Sequence, residues 1–126
     1  MVETDISEYR MYCVVRQDIE IPTGKLIPQV GHAYLMSLRD CRKANPLLAE
    51  AYDNDEGQAK IGLRAKNLQA MERGHRELRE AGIPCCLVTD EGRTVFPEPT
   101  VTVLGIGPCR RDDLPAFVRR FQLYGP

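Results

Sequence analysis

Residues 87–108 read LVTDEGRTVFPEPTVTVLGIGP, two apolar runs on either side of a polar turn. Leu87 and Val88 close the first run, and Val101 to Ile106 form the second. Asp90, Gly92, Arg93 and Thr94, together with Pro97 and Pro99, cannot prolong either run, because Gly and Asp favour turns and Pro lacks the N–H that a ladder requires. The stretch therefore predicts two core strands, and the short connection between them favours antiparallel pairing. A loop pinned between such strands is where reactive groups tend to collect.

Working outward, Cys85 to Thr89 reads as the strand that leads into the turn, and the helical pattern before it is capped by Asn67 and stopped by Gly82 and Pro84. Earlier still, Tyr9 to Arg16 (YRMYCVVR) reads as a first strand, and a helix is expected from about Leu26 to Ala44, with Pro28 in its first turn and Asn45 and Pro46 ending it. The acidic segment from Asp53 to Gly57 reads as an exposed turn before a short strand, Ala59 to Ala65. After Pro108, Asp112 and Asp113 open a final helix carrying Leu114, Phe117, Val118 and Phe121, which at helical spacing read as core, with a homodimer contact as the minor alternative. The order β-α-β-α-β-β-α predicts an α/β fold: three layers, α/β/α, around a mixed, about four-stranded sheet with helices on both faces. Residues 1–8 are expected to be a disordered acidic tail and residues 9–126 a single domain.

The 126 residues suffice for one core and not two. A hydrophobic share of 43% and a charged share of 28% are those of an ordinary globular chain, and no apolar run approaches the ~20 residues of a membrane helix. The acidic opening MVETDISEYR lacks an apolar signal region, so a cytoplasmic location is expected. Five cysteines without a CxxC pair, and only two histidines, point to structural thiols rather than a disulfide framework or a metal centre. A formal net charge of −1 confines any nucleic-acid contact to a local surface.

On the first helix, Ile27, Val30, Tyr34, Leu38 and Cys41 share one stripe at 100° per residue, the expected buried face. Lys25, Gln29, His32, Arg39 and Lys43 share the opposite one, a cationic, hydrogen-bonding edge. A lysine in the first turn opposes the helix dipole by roughly 0.3–1 kcal/mol, so a nearby anion or carboxylate is expected to hold Lys25 there.

These residues resemble the type II peptidyl-tRNA hydrolase family, whose first helix begins Gly-Lys-x-x-x-Gln-x-x-His-Ala. Gly24, Lys25, Gln29, His32 and Ala33 stand at that spacing. The family's second signature is an Asp-Ala-Gly-x-Thr turn followed by a strand ending Leu-Gly-Ile-Gly-Pro; Asp90, Gly92, Arg93 and Thr94 are followed here by Leu104, Gly105, Ile106, Gly107 and Pro108. The resemblance runs from about Tyr9 to Tyr124. Thr23, Ile27, Pro28, Tyr34 and Glu91 depart from the family pattern, and Glu91, expected to face outward, adds a second carboxylate beside Asp90.

The resemblance implies hydrolysis of the ester joining a peptide to the terminal ribose of tRNA, with no metal or cofactor. Such an attack needs a positioned water and a donor for the developing oxyanion. The expected catalytic residues are Asp90, orienting the water, Lys25, holding Asp90 and the oxyanion, and Thr94, adding a hydroxyl. Gln29, His32, Arg93, Thr100, Gly105 and Gly107 are the expected substrate contacts at the tRNA acceptor end. Arg39, Lys43, Arg110 and Arg111 are further candidates for phosphates, and His32 reads equally well as a structural helix residue. The alternative is an inactive family member that serves as an RNA- or protein-binding or dimerisation module. Convergence of Lys25, Asp90 and Thr94 in one cleft separates the two readings.

Overall fold

The computed structural model describes residues 5–93 and 95–125. Five strands form one mixed sheet: β1 (Tyr9–Arg16), β2 (Lys60–Ala65), β3 (Cys85–Asp90), β4 (Thr100–Arg110) and β5 (Gln122–Leu123), in the order β3-β4-β1-β2-β5. β1 and β2 run parallel; β4 is antiparallel to both β1 and β3, as its short link to β3 requires. Helices α1 (Thr23–Ala44) and α2 (Pro46–Asp53) cover one face, and α3 (Leu68–Glu80) and α4 (Ala116–Arg119) the other. The three-layer expectation stands, with one strand more than anticipated.

That extra strand follows from a shorter last helix. Leu114 precedes Pro115, whose ring disfavours helical geometry at the residue before it, and Leu114 is extended at ψ 138°. The predicted helix therefore breaks into a 3-10 turn, Arg111–Asp113, and the four-residue α4, which releases Phe121 and lets Gln122–Leu123 pair with β2. Val118 is fully buried and Phe117 and Phe121 pack against the core, as expected of them. At the other end, the Asp5 carboxylate caps a 3-10 turn at Ile6–Glu8, and the rest of the expected tail, residues 1–4, lies outside the described residues.

Asn45 and Pro46 end α1 as expected but also start α2, because an Asx side chain caps the Leu48 amide and Pro suits the first helical position. α1 begins earlier than its sequence pattern implied. The Pro22 carbonyl accepts from the Lys25 and Leu26 amides, each at 2.9 Å, so Pro28 falls in the second turn rather than the first.

The buried face of α1 is also rotated from the expected stripe. Gln29, Ala33, Ser37 and Cys41 are buried, whereas Ile27 is 67% exposed. Small residues decide this, because they let the helix backbone approach the sheet. A Cβ on Gly105 would collide with the Ala33 carbonyl, and the Ser37 hydroxyl donates to the Gly107 carbonyl at 2.6 Å. Gln29, assigned from sequence to the exposed edge, is carried inward with that face.

β3 and β4 slip out of regular register once. Val88 pairs with Val103 and Thr89 with Val101, leaving Thr102 as the extra residue of a β-bulge. Val101 consequently packs with the α3 layer while Val103 packs under α1, and Thr102 also reaches α1.

Candidate active site

Asp90 ends β3 with only 4% of its side chain exposed. Three donors converge on it. Lys25 Nζ lies 2.8 Å from Oδ2, Gln29 Nε2 donates to the same oxygen at 2.7 Å, and the Gly92 amide donates to Oδ1 at 2.8 Å. Gly92 closes this turn at φ +77°, where a Cβ would run into the Glu98 backbone, so glycine is required there. The Lys25 hydrogen bond, then the Gly92 amide, with Gln29 assisting, hold the Asp90 carboxyl below the usual carboxylate range. Asp90 is the carboxylate that the first-turn position of Lys25 called for.

Gln29 is itself fixed. Its Oε1 accepts from the hydroxyl of Thr102, which is fully buried. The amide is thereby oriented with its NH2 toward Asp90, so Thr102, Gln29, Asp90 and Lys25 form one continuous polar chain from the sheet to the surface. Thr102 escaped the sequence reading, although it is the lone hydroxyl within the run Val101 to Ile106. The bulge that turns it toward α1 left no comparable mark.

Above Asp90 opens a cleft of about 430 Å³ with Gly24, Lys25 and Pro28 on its helix side and Glu91 and Arg93 on its loop side. Gln29 and His32 complete it, and Lys25, 29% exposed at its side chain, links the buried carboxylate to the opening. His32 is exposed at this surface rather than tucked against the core, and Glu91 is exposed beside Arg93. Thr94 lies outside the described residues.

The other expected contacts lie elsewhere. Thr100 pairs with Asp90 across the ladder, but its hydroxyl donates to the Glu98 carbonyl at 2.9 Å. Gly105 and Gly107 are buried beneath α1, and the close backbone approaches they permit are internal to the fold: a Cβ on Gly105 would meet the Ala33 carbonyl of α1, and one on Gly107 the Arg10 carbonyl of β1. Arg110 and Arg111 are at the opposite end of β4 from Thr100, where Arg110 meets Asp113 and Glu8. Arg39 and Lys43 are exposed further along α1.

Burial pushes the Cys85 thiol up to about 11 and Cys109 up to about 12, which leaves little thiolate for nucleophilic chemistry. Among the described residues, no three His, Cys, Asp or Glu side chains are grouped as metal ligands.

The family model described as Peptidyl-tRNA hydrolase PTH2 matches residues 9–124. The peptidyl-tRNA hydrolase of Methanopyrus kandleri is 35% identical over 84% of this chain and 90% of its own length. That of Methanococcus vannielii is 29% identical over 91% of this chain and 98% of its own. The human protein named peptidyl-tRNA hydrolase 2, mitochondrial, is 29% identical over 95% of this chain and 66% of its own length.

Proposed function

This chain belongs to the type II peptidyl-tRNA hydrolase family and hydrolyses peptidyl-tRNA, and from that premise we propose that Lys25 and Asp90 carry the reaction at the cleft above β3. The observation behind this assignment is the convergence of Lys25, Gln29 and Gly92 on one buried carboxylate at an open cleft. Such convergence supports catalysis over a binding module, which would be free to lose it.

Three of the roughly four acceptor positions of Asp90 are occupied, leaving one on Oδ1 for a water. With a lowered pKa the carboxylate is a weak base, so it orients the water rather than taking a full proton early. Lys25 Nζ carries three N–H groups; one holds Asp90, and the ammonium stands where negative charge grows on the ester carbonyl oxygen. Water oxygen bonds to the carbonyl carbon, the bond to the ribose oxygen breaks, and the departing ribose oxygen leaves as a hydroxyl carrying a proton from the water. Thr94 is proposed to add a hydroxyl to this network, and His32 and Arg93 to contact the acceptor end.

No helix among the described residues is long and apolar enough to cross a membrane. A cytoplasmic setting is proposed, in keeping with five free cysteines. A homodimer is proposed only through exposed Ile27 and Leu35 on α1, and sedimentation velocity reads it directly.

Cleavage of a labelled N-acetylaminoacyl-tRNA tests the site assignment. Lys25→Ala and Asp90→Asn are each expected to lower kcat by about 10²–10³, the usual cost of one oxyanion-stabilising group, with unchanged circular dichroism. Near-wild-type turnover in both variants refutes it.

A further inference from the structure

A second hollow, of about 330 Å³, lies on the α3 and α4 side of the sheet. Its apolar part is the partly buried pair Phe117 and Phe121, packed edge-on with ring centroids 5.4 Å apart and with the Arg73 guanidinium 3.9 Å over the Phe117 ring, and its charged part is Arg64, Lys66 and Arg120. Through Gln17 and Arg64 it continues into an adjoining hollow that includes Ile19 and the half-exposed ring of Tyr124. No carboxylate lines either hollow among the described residues. Arg64 is held in place by the Gln122 side chain at 2.8 Å and the Gly125 carbonyl at 3.1 Å, while Lys66 and Arg120 are exposed and have no ion-pair partner among the described residues. In a chain of net charge −1 this is a concentration of positive charge in one place.

The groove shares an edge with the active site. β1 and β2 run parallel and β4 is antiparallel to β1 and β3, so the carboxyl ends of β1, β2 and β3 all face one way. In the order β3-β4-β1-β2, Asp90 and the end of β2 are three interstrand steps of about 4.8 Å apart, a lateral offset of about 14 Å, with the cleft on the α1 face of this edge and the groove on the α3 face. Ile19, in the adjoining hollow, belongs to the segment leading from β1 into the catalytic end of α1.

We propose that this groove binds the tRNA strand leading to the ester in the cleft, with Arg64, Lys66 and Arg120 meeting backbone phosphates, the half-exposed Tyr124 ring meeting an unstacked base and the phenylalanines forming an apolar floor. The proposal rests on the peptidyl-tRNA reading given above. Cations without carboxylates beside flat apolar rings are what a single-stranded nucleic acid takes, whereas an acidic peptide would use the charge and leave the rings idle.

The test reads binding, so that it does not depend on cleavage. Fluorescence anisotropy of deacylated, 3′-labelled tRNA across a salt series is to be compared for wild type, Lys66→Gln with Arg120→Gln, and Arg110→Gln with Arg111→Gln. Both double variants lose two positive charges, but the second pair is at the opposite end of β4. The groove pair is expected to weaken tRNA binding at least tenfold and to make the slope of log K against log salt shallower by about 1.4 to 1.8, at 0.7–0.9 per phosphate. The distal pair is expected to change affinity less than threefold. Equal losses in both pairs, an unchanged groove pair, or a polyglutamate chain bound and weakened to the same degree would overturn the proposal. Loss of ester cleavage in wild type with tRNA binding intact would count against the catalytic assignment alone.

Discussion

Thr102→Val removes one oxygen from the buried end of the polar chain and preserves side-chain shape. Thr102 is fully buried and its hydroxyl donates to Gln29 Oε1, which lies in a helix face packed on the sheet, so water has no easy access to replace it. Leaving a buried acceptor unsatisfied costs about 1–3 kcal/mol. At about 2.1 cal/mol/K per residue, unfolding 126 residues carries an entropy of about 265 cal/mol/K, so that cost lowers Tm by roughly 4–11 °C. Differential scanning calorimetry on Thr102→Val, Gln29→Leu and the double variant closes a cycle, and the coupling is expected at about 1 kcal/mol because the two side chains touch. Activity on N-acetylaminoacyl-tRNA is expected to fall in Thr102→Val by less than in Lys25→Ala, since Gln29 loses its anchor while Lys25 and Gly92 still hold Asp90. A Tm within 1 °C of wild type together with no coupling would refute the claim that Thr102 orients Gln29.

Two further perturbations probe the same frame. The Asp90 pKa is depressed in the folded protein, so ionised Asp90 favours the fold; that contribution is fully present above the unfolded value of about 3.9 and disappears as pH falls through the lower folded value. Thermal melts of wild type and Asp90→Asn are therefore expected to converge as the pH drops below about 4, and the acid limb of kcat/KM to fall below the ordinary carboxylate range; a limb near neutrality would implicate another group. Gly105→Ala puts a methyl group against the Ala33 carbonyl and lifts α1 from the sheet, at a cost of about 1–3 kcal/mol in urea melts and with loss of activity through displaced Lys25 and Gln29. Wild-type stability in that variant would mean that the helix is not seated on Gly105.

Those perturbations also mark what could be read from the chain. β1, α3 and the antiparallel β3–β4 pair were legible because a run rich in Tyr and Val, an Asn cap and Pro-rich punctuation act locally. The need of Lys25 for an anion was legible because a lysine in the first turn opposes the helix dipole, and the family resemblance pointed to Asp90 as that anion. The orientation of α1 was not, since hydropathy weighs Ile27 above Ala33, whereas close packing against Gly105 rewards the smaller residue. α2 was hidden because Asn-Pro signals both a stop and a start, and the last helix was overextended because Pro115 acts on the residue before it. Thr102 was missed because a bulge changes which face a side chain takes without changing composition.

The bulge makes the site a matter of counting. With Thr102 as the surplus residue, Thr102 and Val103 look toward the same layer; deleting Val101 would restore strict alternation, put Thr102 opposite Thr89 and send its hydroxyl to the far side of the sheet, with every side chain type still available. Lengthening the loop between Arg93 and Glu98 shifts no partner in the ladder. Diversification of this scaffold, whether by evolution or in the laboratory, is thus open in the loop and closed in the strand beside it: the reaction tolerates a new length beyond Arg93 more readily than a single residue missing from the start of β4.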